Sequence, residues 1–326
     1  HKGLRMRFFN LVILLIGLCA VGVSAQEPLV WDATTTYEHI SRVVWNTEGT
    51  QVATASFAYD DNTRLQSTVE IWDAITGERL KTFGTPEAQA VSAVFSAEGT
   101  LLITGLTTGE VAAWNLQDGQ IVQRIPAHET PPNLVLSLDG KWLVSWESSG
   151  IIIWEAANLA PQFILTPESP EAALSVFALI SPDSTTLALV DTAGVVTLYD
   201  LDTGEQVSKI LTDQTVEPYT AAYTSDGVGV ALGYQSLVIW NTILRTQTSS
   251  MVIGADVYRA TYRNETQIAI ADANGTAALW DISTGVRVQT FAEGLETVGD
   301  MAFSPDGTRL ALGGPDGQIM VYAVVE

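Results

Sequence analysis

Apolar and polar residues alternate in short runs along most of the chain, and the runs recur as a block. Each block reads as an apolar strand, a turn such as SPDGT, a second strand, a tight turn, and a third strand ending in Trp or Tyr. The aromatic endings are Trp72, Trp114, Trp154, Tyr199, Trp240, Trp280 and Tyr322, at intervals of 42, 40, 45, 41, 40 and 42 residues. After most of them comes a glycine turn, as in DAITGE and DLDTGE, where glycine accepts a positive φ, and then a fourth strand such as GERLKTF at 77–83. No helical periodicity interrupts this order. Such units predict an all-β chain: a seven-bladed β-propeller of four-stranded antiparallel blades.

Register is testable along the second strands, because aligned positions must share an environment. One column holds Val52, Leu102, Leu143, Leu187, Val230, Ile268 and Leu310, all aliphatic, which predicts blade-to-blade core. The next column is mostly small (Ala53, Ile103, Val144, Ala188, Ala231, Ala269, Ala311), as close sheet packing requires. Two positions further lie Ala55, Gly105, Trp146, Val190, Gly233, Ala271 and Gly313, among which Trp146 stands out.

On these residues the chain resembles the WD40-repeat propellers, with FSPDGTRLALGGPDGQIMVY at 303–322 and FSAEGTLLITGLTTGEVAAWN at 95–115 as the best copies. The resemblance implies a non-catalytic platform for a protein or peptide partner. The family usually adds Gly-His before the first strand and Asp in the turn before the third, joined in a buried hydrogen-bond network. Here only His128 stands near the first place, and Asp191, Asp272 and Asp316 occupy the second, so blade stability is expected to lean on apolar packing.

The first 25 residues read differently: Lys2, Arg5 and Arg7, then an apolar run over 8–23, then Val23-Ser24-Ala25. This is the three-zone pattern of a secretory signal peptide (1–25), with the propeller spanning 26–326, and it predicts an extracytoplasmic protein, with no membrane insertion after cleavage. If the run stays uncleaved, it becomes a membrane anchor. Cleavage removes Cys19, the only cysteine, and with it every disulfide, thiolate metal site and cysteine nucleophile. The remaining residues carry 12 basic and 37 acidic side chains, a net charge of 12 − 37 = −25, which disfavours nucleic acid and anionic membranes as partners.

Beyond residue 25 the histidines are His39 and His128, with no nucleophile-elbow or HExxH motif, so no catalytic, cofactor-binding or metal-binding residue is assigned. His128 is expected to be structural. The alternative is an exported propeller enzyme or ligand-binding protein acting on a sugar or small molecule through clustered carboxylates, or a periplasmic TolB-like propeller.

One interval breaks the repeat. From Trp45 to Trp72 is 27 residues, where equivalent intervals run from 17 to 19, which predicts a longer turn around AYDDNTRLQS between the second and third strands of the first blade. Tyr59, Asp60, Asp61 and Arg64 in it are candidate partner-binding residues, and Trp146 and Glu147 are candidates for the same rim. Filling of a gap in the third blade is the competing expectation for Trp146. Calcium at Asp60 and Asp61 fits poorly, because the spacing is not that of an EF-hand loop.

Finally, Trp31-Asp32 looks like one more repeat ending. It stands only 14 residues before Trp45, too close for a complete fourth strand between them. EPLVWDA at 27–33 aligns instead with GERLKTF, while the last repeat stops after its third strand. The expectation is a ring closed by an N-terminal strand joining the last blade, with Leu29, Val30 and Trp31 buried, and a monomer, since closure leaves that sheet edge paired.

Overall fold

The computed structural model describes residues 29–59, 65–85, 89–148, 150–165, 175–212 and 216–325. They form seven four-stranded antiparallel sheets, each paired in sequence order except the last. Blades 1 to 6 span 39–83, 90–126, 133–165, 175–210, 220–251 and 257–292. Blade 7 takes three strands from 300–323 and its outermost strand, Leu29–Thr34, from the beginning of the fold. First strands of successive blades lie side by side, and His39–Trp45 meets Asp300–Phe303 to complete the ring. Among the described residues the single helical turn is the 3-10 segment Pro315–Gly317.

The apolar columns fall where their alignment places them. Val52, Leu102, Leu143, Leu187, Val230, Ile268 and Leu310 are all at 0 % exposure, and the small column beside them is buried throughout. The core is divided into seven clusters, each formed by the facing sheets of two adjacent blades, including one between blades 7 and 1 around Trp31, Ile40, Trp72 and Val321. Small side chains are needed where a neighbouring blade enters: a Cβ on Gly105 would lie 2.2 Å from the Pro132 carbonyl oxygen, and one on Gly313 2.6 Å from the Ile40 side chain.

The letter after the repeat aromatic also has a physical role. Asp73, Asp200 and Asp281 accept hydrogen bonds from main-chain N–H groups and a threonine hydroxyl of the following turn, and Asn115 and Asn241 accept from main-chain N–H groups there. These donors, led at Asp281 by the Ser283 hydroxyl, hold all three aspartates below the ordinary carboxylate range. Asp32 caps no such turn; it receives only a bond from the Gln318 side chain at 3.2 Å.

Trp31 instead lies mid-strand, opposite Val321. Its equivalents, opposite the residue before each aromatic, are Lys81, Gln123, Phe163, Ser208, Ser249 and Gln289. Five of these seven reach into the next blade. Trp31 Nε1 donates to the Ala74 carbonyl at 2.9 Å, Lys81 Nζ to Leu116 at 2.5 Å, Gln123 Nε2 to Asn158 at 3.2 Å and Gln289 Nε2 to Ala323 at 2.8 Å. Phe163 packs over Gly204. Closure therefore stands, with one correction: Trp31 is 8 % exposed, but Leu29 and Val30 remain 42 % and 43 % exposed, because the outermost strand of a blade has solvent on its outer edge.

A second interaction divides the ring. Trp72 Nε1 donates to Thr54 Oγ1 (2.9 Å), Trp114 Nε1 to Thr104 Oγ1 (2.8 Å) and Trp154 Nε1 to Ser145 Oγ (2.8 Å). In blade 3 His128 Nε2 lies 2.7 Å from the same Ser145 hydroxyl, the structural place expected for it. Burial lowers the His128 pKa against the opposing pull of Glu147. In blades 4 to 7 the hydroxyl's place is taken by Leu189, Leu232, Ile270 and Leu312, and Trp240 Nε1 has no partner. Asp191 and Asp272 cap their own turns, accepting from Val195 and Thr276 N–H groups.

Candidate functional site

The upper face carries the turns between second and third strands and the links between blades. On it the innermost strands each contribute one residue at equal height, opposite the third column of the second strands: Arg42, Ser92, Asn133, Phe177, Thr220, Arg259 and Asp300. Register shifts just before Arg42, Ser92, Phe177 and Arg259 show that a bulge sets the aim of these side chains. The ring, without Ser92, lines a channel cavity of about 700 Å³. That volume lies in the range of small-molecule and side-chain pockets.

The ring side chains bind forward, toward a following blade. Ser92 Oγ donates to Pro132 O at 2.6 Å, Arg259 Nε to Gly299 O at 2.6 Å, and the Val43 N–H donates to Asp300 Oδ2 at 2.8 Å. Arg42 Nη2 reaches past blade 2 to Leu134 O at 3.2 Å. Just outside the ring, Tyr219 and Tyr258 precede Thr220 and Arg259 in sequence and form an exposed edge-to-face pair, with centroids 5.2 Å apart. The negative charge of Asp256 raises the Tyr219 pKa. Deeper in the channel, burial pushes the Tyr223 and Tyr262 hydroxyls up, and Tyr262 Oη has no partner.

Across the face, the long interval of blade 1 forms a projecting hairpin rather than a longer turn. Gln51–Tyr59 and Leu65–Asp73 are nine residues each and stay paired as far as Tyr59 and Leu65. Gln89 braces the arm, accepting from Ser67 N at 2.7 Å and donating to Gln66 Oε1 at 2.9 Å. Tyr59, 64 % exposed, ends a run of rings with His39 and Phe57. Asp60, Asp61 and Arg64 lie outside the described residues.

The expected rim with Trp146 and Glu147 does not form. Trp146 is 6 % exposed, packed with Val144, Ile151 and Leu189 between blades 3 and 4, so the gap-filling expectation is the correct one. Glu147 is 7 % exposed and tied to the link before blade 3, accepting from Thr130 Oγ1 at 2.7 Å. Arg42, Arg259, Asp300, Tyr219 and Tyr258 fall outside the aligned columns of the repeat. The available signal was a charge inside an otherwise apolar first strand, as in HISRVVW and VYRATY.

Among the described residues lining the cavity Asp300 is the sole carboxylate. The described residues hold no group of three His, Cys, Asp or Glu side chains placed for a metal ion.

Residues 285–323 match the family described as WD40, the WD domain or G-beta repeat. The chain is 29 % identical over 184 residues to the WD repeat-containing protein SL1-17 of Schistosoma mansoni, covering 54 % of this chain and 59 % of that protein. It is 26 % identical over 324 residues to the Echinoderm microtubule-associated protein-like 2 of Mus musculus, covering 94 % of this chain and 48 % of that protein. The same figures hold for the Rattus norvegicus protein of that name. The chain thus spans about half the length of the curated relatives it matches. These similarities support a WD40-type propeller.

Proposed function

We propose that the chain is a WD40-repeat propeller that serves, without catalysis, as a rigid platform for a protein or peptide partner received on the upper face at the channel mouth. The observation that carries this reading is the exposed Tyr219 and Tyr258 pair beside the Arg42, Arg259 and Asp300 ring, facing the braced hairpin with Tyr59 across the same face. Tyrosine and arginine are the residues that dominate binding energy when centred on an interface. The inter-blade contacts keep these groups in fixed relation, which lowers the ordering cost of binding. An extracytoplasmic location is part of the proposal and is supported by the pattern of residues 1–25.

The test is affinity capture with the unaltered protein and a Tyr219→Ala/Tyr258→Ala variant of equal melting temperature. A partner retained by the first and lost by the second supports the reading; equal retention places the partner elsewhere. Export is checked by N-terminal sequencing of the mature protein, which should begin at Gln26.

A further inference from the structure

We propose that the channel mouth is an anion site centred on the Arg42 guanidinium, and that it receives a carboxylate carried by the partner, as an acidic side chain or a chain end. The proposal deepens the platform reading and rests on it. It starts from an electrostatic imbalance. A guanidinium stays charged at any accessible pH, and one removed from water needs a counter-charge or a full set of acceptors. Arg42 is half-buried, its Nε is shut from solvent with no partner, and its one contact is to a neutral acceptor, the Leu134 carbonyl at 3.2 Å.

Counter-charges are not scarce here, since acidic side chains outnumber basic ones 37 to 15. Some cations find them: Arg79 pairs with Glu70 at 2.6 Å, Lys141 with Asp202 at 2.5 Å, and Arg124 with Glu110, while Lys81, Arg263 and Arg309 rest on neutral acceptors; among the described arginines only Arg42 has a nitrogen shut from solvent with no partner. No described carboxylate pairs with Arg42. The nearest candidate in the ring, Asp300, spends an oxygen on the Val43 N–H instead. An acidic protein that leaves this cation unpaired on the wall of a cavity leaves it free for an anion from outside.

The surroundings select the anion. Arg259 stands at the same height in the ring, fixed by the Gly299 and Tyr258 carbonyls, and adds a second positive charge. Val135, Phe177 and Leu179 line the cavity and lower the local dielectric, which strengthens a charged contact. Arg42 spends one terminal N–H on Leu134 and keeps the others of its terminal nitrogens for the cavity, the end-on fork that suits a planar carboxylate. Asn133, opposite Trp146 and exposed on the same wall, supplies a further donor. Asp300 and the acidic surface disfavour a polyanion, so a single carboxylate in an otherwise neutral or basic segment fits best.

The test uses the full protein and three probes at low salt: the blocked peptides acetyl-Gly-Glu-Gly-amide and acetyl-Gly-Gln-Gly-amide, and free glutarate, followed by calorimetry. The Glu peptide should bind, the Gln peptide should bind about tenfold more weakly or worse, and affinity should fall as salt rises. Arg42→Gln should show the same loss toward the Glu peptide, with Arg42→Lys recovering part of it. Glutarate binding as tightly as the Glu peptide supports the site and assigns its ligand to free acids rather than to a partner. Equal binding of the Glu and Gln peptides to the unaltered protein overturns the proposal, and needs no variant that folds. So does undiminished Glu-peptide binding by a folded Arg42→Gln. Neither result touches the platform reading, which stands or falls on the Tyr219 and Tyr258 variant.

Discussion

The indole of Trp31 lies so close over Gly77 that a Cβ on the glycine would sit 2.7 Å from two ring carbons. The pair joins the closing strand of blade 7 to the turn between the third and fourth strands of blade 1 and so holds the ring shut. Trp31→Ala should cost about 3–5 kcal/mol, the usual range for a buried aromatic, and lower the melting temperature by several degrees. Gly77→Ala should destabilise through the same ring and also through its φ of +70°. Thermal melts followed by circular dichroism decide, and an unchanged midpoint in both variants would sink the clasp.

Replacing tryptophan by phenylalanine should divide the blades. Trp72→Phe and Trp114→Phe leave Thr54 and Thr104 without the indole N–H, and each should cost about 1–3 kcal/mol. Trp240→Phe removes a donor that has no partner, and should be neutral or stabilising. Urea midpoints of the three variants test the contrast.

Ser208 holds the inter-blade position in blade 4, but its hydroxyl has no partner and lines a cavity of about 300 Å³ beside Thr242 of blade 5. Ser208→Gln gives this seam the group that Gln123 and Gln289 use elsewhere. A gain of about 0.5–2 kcal/mol is expected for such a filling, read as a higher melting temperature.

Strong acid should act on the turns. Hydrogen bonds from Ser304 and Thr308 hold Asp306 at about 2, against an ordinary 3.8. Its contribution is complete above pH 3.8 and is lost as pH falls through that interval toward about 2. Asp306→Asn should flatten the acid limb of the stability curve in this range while lowering the plateau above it.

His128 titrates higher. Burial, the largest cause, lowers its pKa from the ordinary 6.5, so below pH 6.5 the unfolded chain binds the proton before the folded one does. Stability should therefore fall as pH drops from 6.5 toward the folded value. In His128→Gln the dependence of the urea midpoint on pH over this window should be shallower.

The blades were legible because a strand has a side-chain period of two, so one correct register fixes every buried column from Val52 to Leu310. Trp31 was legible for the same reason: counting in strand lengths leaves it only one place. Trp146 misled because its burial is decided by packing against blade 4, around Ala178 and Leu189, which lie far along the chain. Extra residues between Trp45 and Trp72 read equally well as loop or as longer strands, since Phe57 and Tyr59 continue the alternation. The channel ring was hidden by bulges: one added residue, such as Ser41 or Tyr258, changes the aim of the side chain that follows and leaves composition untouched.

Closure by the leading strand also fixes the direction in which the molecule can be held. Leu29 pairs with Tyr322, and the Val324 N–H bonds the carbonyl of Thr308 in a lower turn, so the described chain starts and finishes on the side away from the channel mouth. A tether that leaves the fold at Leu29 or Val325 therefore leaves it from behind, with Tyr219, Tyr258 and Arg42 facing the other way.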